Sequence, residues 1–116
     1  MFAAALLLLQ TASGSTNPLA TGSNLLAACA SEELHLRGLC TAYILGIGDG
    51  ADLQRAMADV YGNKPYCVYQ MPAATTGSQM RAAVIDYIQQ HPEKGSESGS
   101  KLVIAAFEKS FPCPAE

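Results

Sequence analysis

The sequence has few basic residues, and they do not cluster. Seven Lys and Arg residues against ten Asp and Glu residues give the 116-residue chain a formal net charge of −3. Nucleic-acid-binding proteins neutralise phosphates with grouped Lys and Arg side chains, so we expect no nucleic-acid partner. The chain also lacks an apolar run of the about 20 residues that span a bilayer, so we expect no stable membrane insertion.

Closely spaced cysteines are missing as well. Structural zinc sites use pairs such as C-x-x-C, whereas the nearest two of the four cysteines here are 11 residues apart. An even number of cysteines in a short exported chain is typical of disulfides. We therefore predict two disulfides among Cys29, Cys40, Cys67 and Cys113, with no metal and no other cofactor.

Strand patterns are almost absent, because alternation of apolar and polar residues is confined to "YCVYQM". Four segments have helical spacing instead. They are Ser23–Ala30 with Ser23 or Asn24 as N-cap, a helix from Ser31 as N-cap to about Asp59, a helix opened by the capping-box pair Thr76 and Gln79, and a helix carrying Leu102 to Phe107 that stops at "FPCP". We predict an all-α fold, a small bundle of about four helices.

The second helix has one apolar stripe in the sequence. Its members are Leu36, Leu39, Cys40, Tyr43, Ile44 and Ile47, and the spacing resumes at Leu53, Met57 and Val60. Three glycines, Gly46, Gly48 and Gly50, make a weak point in this helix. The spacing G-x-G-x-G after a helical segment does not match a nucleotide-binding loop, which follows a strand. We expect Ala42, Gly46 and Asp49 or Gly50 to form a narrow face that lets another helix approach closely.

The predicted helices favour one disulfide pairing. The third and fourth helices should pack antiparallel, which places Cys67 and Cys113 at the same end. Cys29 and Cys40 lie across a sharp turn. Of three possible connectivities, Cys29–Cys40 with Cys67–Cys113 is the simplest.

Catalytic patterns are not found. The two histidines, His35 and His91, are far apart and each has an ordinary position near a helix end. The acids Asp49, Asp52, Asp59 and Asp86 show no paired spacing, and oxidised cysteines cannot act as nucleophiles. We expect no enzymatic activity.

The N-terminus has the pattern of an export signal. "MFAAALLLLQTASGS" is an apolar run followed by small residues, although it lacks a basic beginning. We predict a signal peptide at residues 1–14, a linker at 15–22 and one domain at 23–116.

Four stretches in order give the sequence a family resemblance. Cys29 ends the first predicted helix. The next stretch has the pattern C-x-x-Y-I-x-G-x-x-D, formed by Cys40, Tyr43, Ile44, Gly46 and Asp49. Cys67 then precedes a helix with Pro72, Thr76, Gln79, Val84 and Tyr87, and the last helix ends in Phe111, Pro112 and Cys113. This pattern resembles the Tai-type immunity proteins of type VI secretion amidases, over about residues 22–113. The loop "CVYQMP" departs from the usual C-x-P of that family.

The resemblance implies a periplasmic helical bundle, often a homodimer, that inhibits a peptidoglycan amidase effector and performs no reaction itself. Two segments are candidates for effector binding. One is the polar connector with Glu93, Lys94, Ser96, Glu97 and Ser98, expected to protrude into a cleft, and the other is the loop with Tyr66 and Tyr69. Tyrosine is enriched at binding hot spots, although these tyrosines could equally cover the end of the bundle. An orphan role in the cell envelope, a small acid-stress chaperone and a lipid-binding bundle stay open as alternatives.

Overall fold

The computed structural model describes Asn17, residues 19–63 and residues 66–115. Its four helices are α1 (Gly22–Cys29), α2 (Leu34–Val60), α3 (Gly77–Gln90) and α4 (Gly99–Ser110), with a 3₁₀ turn at Pro92–Lys94 between the last two. Within the described part of the chain, β pairing is limited to one isolated antiparallel bridge between Thr21 and Ser98. The predicted all-α fold with four helices is therefore confirmed. The predicted signal peptide and residues 15, 16 and 18 of the linker lie outside the described residues.

Helix starts differ from the prediction in two places. The N-cap of α1 is Thr21, whose hydroxyl accepts a hydrogen bond from the Asn24 amide at 3.3 Å, so the prediction of Ser23 or Asn24 is wrong. The residue that precedes α2 is Glu33, and not Ser31. The Ser31 hydroxyl accepts a hydrogen bond from the Glu33 amide at 3.1 Å, which forms a turn before the helix.

The start of α3 is the predicted capping box. The Thr76 hydroxyl accepts from the Gln79 amide at 3.2 Å, and the Gln79 side chain accepts from the Thr76 amide at 2.8 Å. Two amide groups that lack partners within the helix are thereby satisfied.

One apolar core joins all four helices. Its buried members are Leu19, Leu25, Ala28, Cys29, Cys40, Ile44, Tyr69, Val84, Tyr87, Ile88, Leu102, Val103, Ala106 and Phe107. The disulfides are Cys29–Cys40 and Cys67–Cys113, so the predicted pairing is confirmed. The first bond lies inside the core, whereas the second ties the loop before α3 to the segment after α4.

The long helix α2 is buried on one side only. Cys40 and Ile44 are its buried residues, while Leu53 is 62% exposed and Val60 is 80% exposed. Leu39 and Met57 are also exposed, so the prediction that these residues continue the inner stripe is wrong. For Leu53, Met57 and Val60 the reason is length, because α2 has 27 residues and the helices packed on it have 8, 14 and 12. Leu39 lies beside the buried Cys40 but on another face of the helix.

The predicted close contact along the glycines is also wrong. Ala42, Gly46 and Gly50 are exposed, and a Cβ atom built on Gly46 or Gly50 would meet nothing within 4 Å. The helix nevertheless runs through these glycines from Leu34 to Val60 without interruption. The narrow face exists, but no described helix of the same chain covers it.

Phe107 is the largest fully buried side chain, and its ring contacts Tyr69 and Phe111. We expect Phe107→Ala to lower the free energy of unfolding by about 3–5 kcal/mol, because the cavity adds to the lost burial. The half-buried Phe111 is the matched control, and Phe111→Ala should cost clearly less. Urea unfolding of the oxidised proteins measures both, and an equal loss would contradict the central place of Phe107.

Candidate functional site

A groove runs between the middle of α2 and the loop that follows Cys67. Its volume is about 530 Å³. The residues that line it are Ile44, Leu45, Gly48, Asp49, Asp52, Arg55, Tyr66, Cys67, Tyr69, Gln70, Met71, Met80 and Phe107. Charged and aromatic groups at its edge stand above an apolar floor that belongs to the core.

Tyr69 forms part of that floor. Its side chain is 6% exposed, and its ring packs edge-on against Phe107 with centroids 5.2 Å apart. The Arg55 guanidinium lies 5.5 Å from the centre of the Tyr69 ring, within the range of a cation–π contact. Burial, with a smaller contribution from Asp52, raises the pKa of Tyr69 above 10.0. Covering the end of the bundle is therefore the structural role of Tyr69.

Tyr66 is placed very differently from Tyr69. Its side chain is 76% exposed and lies on the rim of the groove. The adjacent Cys67 is bonded to Cys113, and the Gln70 amide donates to the Phe111 carbonyl at 2.8 Å. Two independent attachments thus hold the loop that presents this exposed tyrosine ring.

Carboxylates on α2 make the other edge of the groove. Asp49 and Asp52 are both exposed, and Asp52 forms an ion pair with Arg55 one turn further along the helix. Exposed pairs of this kind contribute little to stability, about 0–1 kcal/mol. The more important consequence is electrostatic. Asp49, Asp52 and Arg55 together give this edge of the groove a net negative charge. Asp52 and Arg55 were absent from the predicted binding residues, and their i, i+3 spacing is too common to single them out.

The connector between α3 and α4 does not protrude as predicted. The carbonyls of Gly95 and Glu97 accept hydrogen bonds from the Ser23 and Gly22 amides at 2.8 and 2.9 Å. The Gly99 amide in turn donates to the Ala20 carbonyl at 2.9 Å. The physical reason is that the first amides of a helix need acceptors from outside it, and the connector supplies them to α1.

The side chains of the connector are divided between its two sides. Lys94 donates to the Tyr87 hydroxyl at 3.1 Å, and Glu97 is also half-buried. Glu93, Ser96 and Ser98 are exposed. The connector therefore presents these exposed side chains on a backbone that is hydrogen-bonded to α1.

The residues of the family pattern occupy core, helix-cap and exposed positions in the fold. Tyr87 is in the core, and Tyr43 and Phe111 pack against it. Gln79 belongs to the capping box, and Pro112 is exposed beside Cys113. Gly46 and Asp49 are exposed on α2, so they contribute to the surface and not to the core.

Both histidines contact residues close to them in sequence, near the ends of helices. His35 lies 3.3 Å from the Glu33 carboxylate at the exposed start of α2. His91 stacks on Tyr87 with ring centroids 4.2 Å apart, and its Nδ1 lies 2.8 Å from the Tyr87 carbonyl oxygen.

Among the described residues, no three His, Cys, Asp or Glu side chains are grouped so that they could hold a metal ion. In the same part of the chain, every helix is too short or too polar to cross a membrane.

These features define a class of protein, a small helical bundle with two disulfides and a fixed groove at its surface. The sequence model of the Rap1a immunity proteins matches residues 21–113. The chain therefore belongs to the Rap1a immunity protein family. That membership implies an effector protein as partner. No curated protein and no solved structure matches the chain.

The buried phenol of Tyr69 predicts a pH dependence of stability. Because the pKa of Tyr69 is raised above 10.0 by burial, the folded chain keeps a proton that the unfolded chain releases. This contribution to stability is complete below pH 10 and is lost as pH rises through the folded-state pKa. Urea unfolding between about pH 9 and 11 should show a fall in stability that Tyr69→Phe reduces.

The exposed Tyr66 gives the matched control for this measurement. Tyr66→Phe should leave the alkaline fall in stability unchanged. If Tyr69→Phe and the unchanged protein lose stability equally above pH 10, the phenol of Tyr69 is not the group responsible.

Proposed function

We propose that this chain is an exported immunity protein that binds a type VI secreted peptidoglycan amidase in the periplasm and blocks its catalytic cleft. The family match over residues 21–113 is the observation that carries the immunity role. The amidase as target rests on the four ordered motifs between residues 22 and 113 that resemble the Tai-type proteins. Action in the periplasm is supported by the two disulfides, because such bonds persist in oxidising compartments.

The proposed effector-binding surface is the rim of the groove, with Tyr66, Asp49 and Asp52. An exposed tyrosine on a fixed loop can enter a pocket of the partner with little loss of conformational freedom on binding. The acidic edge of α2 would then face basic groups of the effector and orient the complex. Tyr69 and the Cys67–Cys113 bond hold this loop in place from below and do not need to touch the partner.

The connector is the second candidate for the same role. Glu93, Ser96 and Ser98 present exposed polar groups on a backbone fixed to α1, with Lys94 and Glu97 more enclosed. A surface of this kind lacks an aromatic anchor, and anchors supply most of the affinity in many interfaces. We therefore place the connector outside the centre of the interface.

Affinity measurements with an amidase effector test this assignment. Tyr66→Ala should weaken binding by about thirtyfold or more, the effect of losing a hot spot of about 2 kcal/mol. Tyr61 is a matched control because it is 73% exposed and does not line the groove, so Tyr61→Ala should bind normally. Inhibition of peptidoglycan cleavage should follow the same order.

The connector has its own variant, Glu93→Gln combined with Ser96→Ala, which we expect to bind normally. A loss in that variant with normal binding by Tyr66→Ala would move the interface to the connector. If the oxidised protein captures no amidase from a panel of type VI effectors, the amidase assignment fails. Dye binding at about pH 2–3 would then test the chaperone alternative.

A further inference from the structure

Two arginines that do not line the groove meet at a second depression of the surface, beside the first half of α2. Its volume is about 570 Å³, and its lining residues are Leu34, Arg37, Gly38, Thr41, Ala42, Leu45 and Arg81. We call this surface the basic depression, because both of its charged residues are arginines and no Asp or Glu residue lines it. It is a local concentration of positive charge on a chain whose net charge is −3.

The arginines of the basic depression have no acidic partner within the chain. The ion pairs of the described residues are Arg55–Asp52, Lys101–Glu97 and His35–Glu33. The Nε atom of Arg37 is the one buried side-chain nitrogen or oxygen of the described residues that has no hydrogen-bond partner. Burial of a charged group without an acceptor costs free energy. An anion from outside the chain, bound to this guanidinium, would offset part of that cost.

Both arginines also stand near the N-terminal ends of their helices. Arg37 is the fourth residue of α2, Arg81 is the fifth of α3, and neither helix has an acid in its first turn. The N-terminal end of a helix dipole favours anions and disfavours cations. The start of α3 lies against α2, since a Cβ atom on Gly77 would be 3.1 Å from Cγ2 of Thr41. Two cations and two helix ends therefore give the basic depression a positive potential.

The shape of the basic depression indicates an extended ligand. Its lining on α2 begins at Leu34 and ends at Leu45, eleven residues later, which is about 16 Å along the helix axis. An extended peptide advances about 3.3 Å per residue, so about five residues match this length. Leu34 is 77% exposed and Leu45 is 44% exposed, so both can contact aliphatic groups. Gly38 lies between them without a side chain and leaves room for a peptide backbone.

We propose that the basic depression binds an acidic peptide segment in extended form. Arg37 and Arg81 hold its carboxylate, because guanidinium groups pair their N–H donors with carboxylate oxygens. Leu34 and Leu45 contact its aliphatic parts. The net charge of −3 opposes a long polyanion, whereas one carboxylate needs only the two local arginines. The inference does not rest on the proposed effector, since the basic depression and the groove share only Leu45.

Titration of the oxidised, isotope-labelled protein with synthetic peptides tests the proposal by NMR. The probe is a capped pentapeptide with one glutamate, one leucine and three alanines, and the control peptide has glutamine in place of the glutamate. We expect the glutamate peptide to shift the amide signals of Gly38 and Thr41 and the Nε–H signals of Arg37 and Arg81. The control peptide should bind about fivefold more weakly, the effect of losing one exposed ion pair.

Arg81→Gln separates binding from folding. It should weaken binding of the glutamate peptide by about fivefold. Its temperature of unfolding should stay equal or rise, because a cation is removed from the N-terminal part of α3. Lys101→Gln removes the same charge from an exposed position of α4 outside the basic depression and should bind normally. Equal weakening in both variants would show that net charge alone governs binding and would overturn the site.

Two glycines of α2 test the position of the peptide. Gly38→Gln adds a side chain to the basic depression, whereas Gly46→Gln adds the same side chain to the same helix outside it. Both added Cβ atoms have open space, and both variants should be at least as stable as the unchanged protein because glutamine is the better helix former. Only Gly38→Gln should lose affinity for the glutamate peptide. Normal binding by that variant would contradict the proposed position.

Three further outcomes would overturn the proposal as a whole. One is the absence of any shift in the signals of the basic depression at the highest peptide concentration reached. Another is an equally strong shift with inorganic phosphate, which would make the depression a site for small anions. The third is a shift that grows with protein concentration in the absence of peptide, which would assign the depression to a second copy of the chain.

Discussion

The bond between Cys67 and Cys113 determines the position of the segment with the least regular structure. Between the end of α2 and the start of α3, the described residues form turns and irregular chain. Such a segment buries little apolar surface and would be mobile without attachments. The disulfide fixes it to the end of α4, and that anchor lets the Tyr69 ring reach Phe107. The groove, its apolar floor and the exposed Tyr66 all depend on this covalent link.

The length of α2 is the second constraint on the molecule. Shorter helices cover one side of α2 and leave the other side in solvent. An apolar side chain that is left exposed contributes nothing to folding, although burial would stabilise it by about 1.5–3 kcal/mol. Burial of the exposed apolar side chains of α2 in a complex would therefore contribute to the free energy of binding. The uncovered side lies next to the groove, and Asp49 stands at the border between the two surfaces.

Most of the fold could be predicted from the sequence, because local signals decided it. The Thr76–Gln79 capping box, the helical spacing of Val84 and Ile88, and the positions of the four cysteines each indicated the correct element or pairing. The side of α2 that faces the core was harder to predict. Leu39, Leu53 and Val60 have helical spacing both with the core residues and with one another, so periodicity alone permits either side.

The candidate site could be predicted only in part, since it is built from tertiary contacts. Tyr66 and Tyr69 are three residues apart in one loop, yet one is exposed and the other is in the core. The difference arises from the disulfide and from Phe107, which is distant in sequence. The prediction that the connector protrudes was wrong for a similar reason. Its glycine and serine content suggested a flexible segment, whereas its carbonyl groups accept hydrogen bonds from the first amides of α1.

That connection between α1 and the connector has a consequence for the order of folding. The first amides of α1 find their acceptors at Gly95 and Glu97, more than 70 residues later in the chain. During synthesis α1 therefore emerges long before the groups that complete it. An isolated helix of 8 residues is unstable in water, so α1 reaches its final form only once Gly95 and Glu97 are in place. The C-terminal part of the domain therefore completes α1. We expect α1 to be unstable in a shortened chain that ends before the connector.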